Sequence, residues 1–574
     1  MKEVFILSDY TQFLKELTKQ LGFSENRIIS IPTFENESGC HDWTTQLFKD
    51  ETVKKLVIPI SIPTDNPINT EGLNIALHIR LNYELTLSQR LTPIILLSDF
   101  SAENILGKNN FDTDNNPQNL LFTKGIYLSS FDFEEITKTV SIAEPCLIKD
   151  YKNQILNRIK ILPKEGRTHS NTNAWGCFKL SQVTGLSDKI IKNDAISNRL
   201  KSLYSKYLIC YNNAFTQEKP IDLKPIICNN KKILFIDDQA DEGWGDLMKN
   251  IFKDVGNNFV YVDSKKYKNS ETKLFHDFEG FLTECRSHIG KDWDLVIIDL
   301  RLNPEKEDID NEMISPKNFS GYKLIDEFLN ENEGYQIIVS TASNKIWNIN
   351  AALERGATSF YIKESPEFNY SISETNRQYE NFKNDVQNCF DKAYLKDIFE
   401  RSQKCKLNLN DLKKKKLLDK DFVGALTTFL DLAFESFKLK TGNFSFDSSF
   451  LYYFLILEAA SKQFIDEDKP LVTGNKFAFK FRTANRKLKF FDKQKQIKTT
   501  DDYLSKERRI AYGQKFYNLV DYANIININP VKIVELRNSF NHPDLINNRR
   551  IATISKEDVI DIFNVIEKLI LNLK

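Results

Sequence analysis

No stretch of the chain stays apolar for the ~18–20 residues that a bilayer-spanning helix needs. The opening MKEVFILSDYTQF has neither the long apolar core nor the small-residue cleavage site of a secretory leader. A cytoplasmic protein with no membrane partner is therefore expected. Net charge is missing too: 79 basic residues balance 79 acidic ones, which excludes a uniformly basic nucleic-acid binder but not a local basic patch. The eight cysteines are scattered, with no C-x-x-C pair. That pattern fits reduced, buried thiols and argues against a disulfide frame or a zinc site. No internal repeat of solenoid length is visible.

At 574 residues the chain has room for roughly three or four domains. From residue 1 to about 140, short apolar runs at 4–7, 28–31, 56–60, 94–97 and 125–128 alternate with helical patterns such as 72–90. Alternating β and α elements predict a doubly wound parallel sheet. Residues 141–230 read as a helical connector or docking region, with a basic amphipathic stretch at 151–161 and a helical one at 188–208. Between these, His169 and Trp175 carry no assigned function. A second α/β series follows, with strands expected at 233–236, 259–262, 295–298, 337–339 and 359–362. Beyond about 395 long helical patterns take over, at 421–437, 450–464, 511–525, 530–541 and 556–573, which predicts a helical bundle. Lys413 to Lys416 read as a solvated helix face. The expected fold class is multidomain α/β plus all-α: two doubly wound parallel sheets and a C-terminal bundle. The domains expected are 1–140, 141–230, 231–370 and 371–574.

The second α/β series carries the most specific chemistry. Asp237 and Asp238 follow the apolar run ILFI, and Asp299 follows LVII. In an open parallel sheet the carboxyl ends of the strands line one crevice. Three clustered carboxylates repel one another and call for a hard cation, and Mg²⁺ suits oxygen ligands. Such a cation draws in a phosphoryl donor, and one carboxylate then attacks phosphorus to give an aspartyl phosphate. Thr341 ends the fourth strand and Lys363 the fifth, placing a hydroxyl and an ammonium for the phosphoryl oxygens.

The motifs FIDD, VIIDLRL, SGYKLIDEF, VSTA and GATSFYIK make this segment resemble the response-regulator receiver family. The resemblance implies that Asp237 and Asp238, with Asp299, hold Mg²⁺ and that Asp299 accepts the phosphoryl group. It further implies that Thr341, Lys363 and the switch aromatic Phe360 read it out, and that a histidine kinase or small phosphodonor supplies it. Two departures stand out: a long acidic loop at 303–319, and Glu364 where the family has proline. A receiver that only mediates contacts is the alternative. Residues 1–140 follow the same element order without the chemistry. Ser8-Asp9 end the first strand, Ser61 lies near the acceptor position, Ser98-Asp99 end the fourth strand, and Ser129-Ser130 end the fifth without a lysine. This segment resembles a pseudo-receiver suited to dimerisation or docking.

The last region offers an arginine and a histidine. Asn529 and Pro530 suit a helix start, and Pro543 places His542 at that helix's last turn, where the dipole favours a protonated imidazole. A symmetric helix pair would bring two copies each of Arg537 and His542 into one cleft. There an imidazole can move the ribose 2′-hydroxyl proton and an arginine can stabilise phosphoryl charge, with no metal cofactor. The string RNSFNH resembles the R-x4-H motif of HEPN ribonucleases, with Asn538 at that family's polar position. The resemblance implies a homodimeric, metal-independent endoribonuclease of antiviral defence or stress. Residues 476–498 carry nine Lys/Arg against one acid, with phenylalanines interleaved. Lys480, Arg482, Arg486, Lys487 and Lys489 are candidate RNA contacts. The alternation 476–482 reads equally as a β-hairpin strand with its phenylalanines packed inward. The combined expectation is a phosphorylation-regulated ribonuclease, and its rival is a non-catalytic adaptor whose bundle binds a partner protein.

Overall fold

The computed structural model describes residues 4–7, 28–62, 70–102, 117–159, 168–215, 225–270, 272–303, 319–342, 346–368, 370–439, 443–473, 476–481, 530–541 and 553–573, with isolated positions between them. The chain divides into two units, residues 1–327 with 336–390 and residues 328–335 with 391–574.

The first unit contains two five-stranded sheets, both wholly parallel. In the first, β1 (Val4–Leu7), β2 (Ile28–Ile29), β3 (Lys55–Pro59), β4 (Ile94–Leu97) and β5 (Ile126–Ser129) take the order β2-β1-β3-β4-β5. All four residues of β4, IILL, are buried, as expected of a strand covered on both faces. Helix α1 (Glu37–Asp50) starts where the Asn36 side chain accepts from the Gly39 N–H at 3.0 Å.

The helical pattern at 72–90 resolves into two helices, α2 (Glu71–Arg80) and α3 (Leu87–Arg90). The break follows from Thr86, which restarts the helix through a capping box with Gln89. Helix α4 (Phe133–Ile142) closes the series, with Ile136 and Val140 facing the sheet core.

The described residues of 141–230 pack into the cores on either side. Tyr151, Ile155, Leu156, Ile159, Leu203 and Cys210 share a core with the first sheet. Trp175, Cys177, Phe178, Leu180 and Val183 of α5 (Thr168–Val183) share one with the second. The stretch 188–208 is divided among α6 (Ser187–Ile191), α7 (Asp194–Leu200) and α8 (Leu203–Phe215).

Strand β6 (Ile226–Ile227) pairs with β8 (Phe252–Lys253), both lying outside the large sheets. The second sheet is built from β7 (Ile233–Ile236), β9 (Phe259–Tyr261), β10 (Leu295–Asp299), β11 (Ile337–Thr341) and β12 (Ser359–Ile362). Its order is β12-β11-β10-β7-β9, which is the same winding as the first. Helices α9 (Trp244–Ile251), α10 (Phe278–Arg286), α11 (Ser320–Glu331) and α12 (Ile346–Glu354) alternate with these strands. Helix α13 (Ile372–Lys392) follows residue 370, the expected end of the domain. Its Tyr379, Phe382, Val386 and Cys389 lie in the core that holds Phe235 and Ile297.

The second unit is mainly helical: α14 (Tyr394–Lys414), α15 (Lys420–Lys438), α16 (Asn443–Phe464), α17 (Pro530–Asn541) and α18 (Lys556–Asn572). Asp419 caps α15 and Ser555 caps α18. Leu430, Tyr453, Leu457, Ile562 and Ile566 are among its core residues. Strands β13 (Ile465–Thr473) and β14 (Lys476–Phe481) pair antiparallel, the hairpin that the alternation at 476–482 predicts. Most of 511–525 lies outside the described residues, although Phe516, Leu519 and Val520 are buried. Among the described residues no helix is long and apolar enough to cross a membrane, and all eight cysteines are buried free thiols.

Candidate functional site

Hydrogen-bonded pairing brings the ends of β7, β10, β11 and β12 together. Ile236 pairs with Ile298, Asp299 with Ser340, and Thr341 with Ile362. Asp237, Asp238 and Asp299 thereby converge, with carboxylate oxygens within 4.8 Å of one another. Lys363 closes the cluster: its Nζ donates to Asp237 Oδ2 and to Asp299 Oδ2, each at 2.7 Å. Thr341 stands alongside, its carbonyl accepting from the Lys363 N–H at 2.8 Å. None of these five residues is more than 3% exposed.

Backbone groups orient the carboxylates. The Gln239 N–H donates to Asp237 Oδ1 at 2.9 Å, and the Arg301 N–H reaches Asp299 Oδ1 at 3.4 Å. The Asp238 carbonyl accepts from Ser264 Oγ at 2.7 Å and from Lys268 Nζ. Burial pushes the Asp237 carboxyl above its ordinary range despite the pull of Lys363, and Asp299 adds to the rise. For Lys363, burial opposes the charge, yet Asp237, Asp299 and Asp238 outweigh it and raise the pKa.

Three carboxylates against one ammonium leave a surplus of negative charge in a buried space. The donor set is all oxygen, so Mg²⁺ fits it, with Asp237, Asp238 and Asp299 as the residues that would hold it. Phe360 is half-buried on β12, opposite Val339.

The first sheet has the same frame, and among the described residues no acid cluster stands at its strand ends. Gly72 and Gly321 are each the second residue of the helix after the middle strand. The Gly72 N–H donates to the Ile60 carbonyl at 3.0 Å, and the Gly321 N–H to the Leu300 carbonyl at 3.0 Å. A Cβ on Gly72 would fall 1.9 Å from the Pro59 carbonyl oxygen, and one on Gly321 would fall 2.2 Å from that of Asp299. Pro59 therefore stands where Asp299 stands, which corrects the placement of Ser61 near the acceptor position. Pro59 pairs with Leu97, and Leu97 with Ser129, so Ser98 matches Thr341 and Phe131 matches Lys363. In sequence, Ser8 and Asp9 follow β1 as Asp237 and Asp238 follow β7.

Two five-stranded parallel sheets of one winding, the second with an acid cluster at its strand ends, make two receiver-like α/β domains. Residues 10–129 match the family model of the Inactive Receiver domain, in keeping with the missing acceptor and lysine of the first sheet. The match covers neither the second sheet nor the helical unit. No curated protein matches the chain.

In the helical unit Arg537 lies on α17, half-buried. Its Nη2 donates to Glu458 Oε1 of α16 at 3.1 Å, and its guanidinium carbon lies 5.6 Å from the Phe454 ring centroid. Asn538 is exposed and accepts from Arg537 Nη1 at 3.4 Å. Helix α17 runs to Asn541, and His542 lies outside the described residues. So do Arg482, Arg486, Lys487 and Lys489, whereas Lys480 is on β14, paired with Asp466.

Sequence reasoning missed the surroundings of the acid cluster. Glu364 is buried on α5's Lys179, with Nζ to Oε1 at 3.5 Å, and accepts from Thr375 Oγ1 at 2.7 Å. Glu242, in the loop after β7, takes Arg199 at 2.6 Å. The one available signal was Glu364 itself, standing in place of the family's proline.

Proposed function

We propose that this protein is a phosphorylation-controlled ribonuclease, in which the second receiver accepts a phosphoryl group on Asp299 and the helical unit cuts RNA. The observation that carries the first half is the buried Asp237–Asp238–Asp299 cluster spanned by Lys363. An Asp299 carboxylate oxygen forms a bond to the phosphorus of the donor as the bond to the donor's leaving group breaks. The product is an acyl phosphate, and the leaving group departs with the electron pair. Mg²⁺, when bound, offsets the surplus carboxylate charge and that of the entering phosphoryl group. Lys363 is placed to follow the new charge, and the Thr341 hydroxyl to donate to a phosphoryl oxygen. A kinase or a small phosphodonor satisfies this chemistry.

The second half rests on Arg537, held by Glu458 and by the face of Phe454, five residues before His542 in the sequence. Attack of a ribose 2′-oxygen on the adjacent phosphorus expels the 5′-oxygen, leaving a 2′,3′-cyclic phosphate. His542 serves as proton carrier and Arg537 as charge stabiliser. A second copy of the chain would complete the cleft. The rival reading, a non-catalytic adaptor, draws on the same contact, because an arginine engaged by Glu458 also suits a purely structural ion pair.

Cleavage of labelled single-stranded RNA in EDTA by the wild type, lost in His542→Ala, is the expected result. Equal cleavage by both points to a contaminant or another site, and none after Mg²⁺ and a small phosphodonor are supplied turns the assignment to the adaptor.

A further inference from the structure

The loop that follows Asp237 and Asp238 and the loop that follows Lys363 both rest against helices of the segment before the second sheet. On one side, Glu364 follows Lys363 directly, and its carboxylate is paired with Lys179 of α5, both side chains 4% exposed. The backbone is equally close. A Cβ on Gly176 would fall 2.9 Å from the Glu364 carbonyl oxygen, 3.2 Å from Trp244 Cζ2 and 3.4 Å from the Glu364 nitrogen. The Trp244 ring in turn lies 5.0 Å from Lys363 Nζ. On the other side, Glu242 takes Arg199 at 2.6 Å, and Gly243, at φ 113°, faces Ile196 of α7 so closely that a Cβ there would fall 2.2 Å from Ile196 Cδ1. Glycine at 176 and 243 lets both helices seat against the loops without slack.

We propose that α5 is an internal partner of the receiver, docked on the Lys363–Glu364 peptide and released when Asp299 carries a phosphoryl group; this rests on the receiver reading above. The sign comes from Lys363. In the docked form its ammonium is shared between Asp237 and Asp299 and lies over Trp244. A phosphoryl group on Asp299 places new anionic oxygens beyond the carboxylate and draws the ammonium toward them. That movement alters the packing of Trp244, and through it the contact with Gly176. Glu364, on the neighbouring peptide, is bound to the same helix through Lys179. Docking and phosphoryl binding therefore oppose each other, and by linkage each weakens the other to the same degree.

The test uses the full chain, with Mg²⁺ and beryllium fluoride as the phosphoryl mimic. Hydrogen exchange of 171–183 is expected to rise when the mimic binds the wild type. Gly176→Ala, whose methyl collides with the Glu364 backbone, and Lys179→Met, which removes the ion pair, are expected to bind the mimic about 10-fold more tightly, within the usual range of such couplings. If the mimic binds with unchanged exchange in 171–183 and unchanged affinity in both variants, internal docking is overturned and the receiver reading stands. Weaker binding by the variants, with slower exchange, overturns the sign. If the wild type and Gly176→Ala both fail to bind the mimic with Mg²⁺, the receiver reading falls and the inference falls with it. Should both variants misfold, the exchange measurement on the wild type still decides.

Discussion

The two sheets of the first unit share winding, strand pairing and a glycine against the end of the middle strand, yet among the described residues only one carries an acid cluster at its strand ends. The difference is confined to a few positions. Pro59 replaces Asp299, Phe131 replaces Lys363, and only Ser98 keeps the hydroxyl of Thr341. The frame depends on apolar strands and on backbone contacts such as those of Gly72 and Gly321, none of which needs a carboxylate. An acid cluster can therefore be lost without losing the fold.

Two buried lysines make the same comparison in energetic form. Lys363 lies between two aspartates, and its pKa is raised. Lys206, on α8, contacts His78 Nδ1 at 2.9 Å and the His78 carbonyl at 3.0 Å. Burial prevails there and lowers its pKa to about 7.

The largest expected effect is on phosphoryl transfer. Asp299→Asn should abolish incorporation from a small phosphodonor with Mg²⁺, read by intact-protein mass spectrometry. Pro59→Asp should add no second acceptor, because Phe131 stands at the position of Lys363 and Ser8 at that of Asp237. A phosphoryl group mapped to position 59 would break the comparison.

Stability comes next. Lys363→Met leaves Asp237 and Asp299 buried without their cation and should cost about 3–5 kcal/mol in chemical denaturation. Lys206→Met removes a charge that burial already disfavours, so it should be neutral or stabilising by about 1 kcal/mol at pH 6. Equal losses in the two variants would show that Lys206 has a compensating partner as strong as the aspartates.

A further effect is a pH slope. The folded pKa of Lys206, about 7, lies below an unfolded value of about 10.4. Between those values the unfolded chain binds the proton and the folded chain does not, so stability rises with pH across that window. The cost of the buried charge is full below pH 7. The melting midpoint of the wild type should therefore gain on that of Lys206→Met as pH increases from 7 toward 10. A constant difference between the two would contradict the assignment.

The sequence showed the strands well, because runs such as IILL and ILFI have one outcome in a covered parallel sheet. It also showed Asp237, Asp238, Asp299, Thr341 and Lys363, since each follows or ends such a run. Ser61 was misplaced by two residues because an apolar run does not say where its strand stops. Pairing with β4 and the contact of Gly72 with Pro59 decide that. Residues 141–230 read as a connector because their apolar positions point to two different cores, and no single periodicity reveals a shared one.

The amino-acid sequence alone thus determined two parallel α/β domains, a helical C-terminal region and an acid cluster on the second sheet. Local apolar patterns and the residues at strand ends are sufficient for each. Tertiary structure decided that Pro59 is the counterpart of Asp299, that Lys363 spans two carboxylates, and that α5 rests on Glu364 through Lys179. Those facts depend on register and on contacts between segments distant in the chain, where the identity of one partner says nothing about the other.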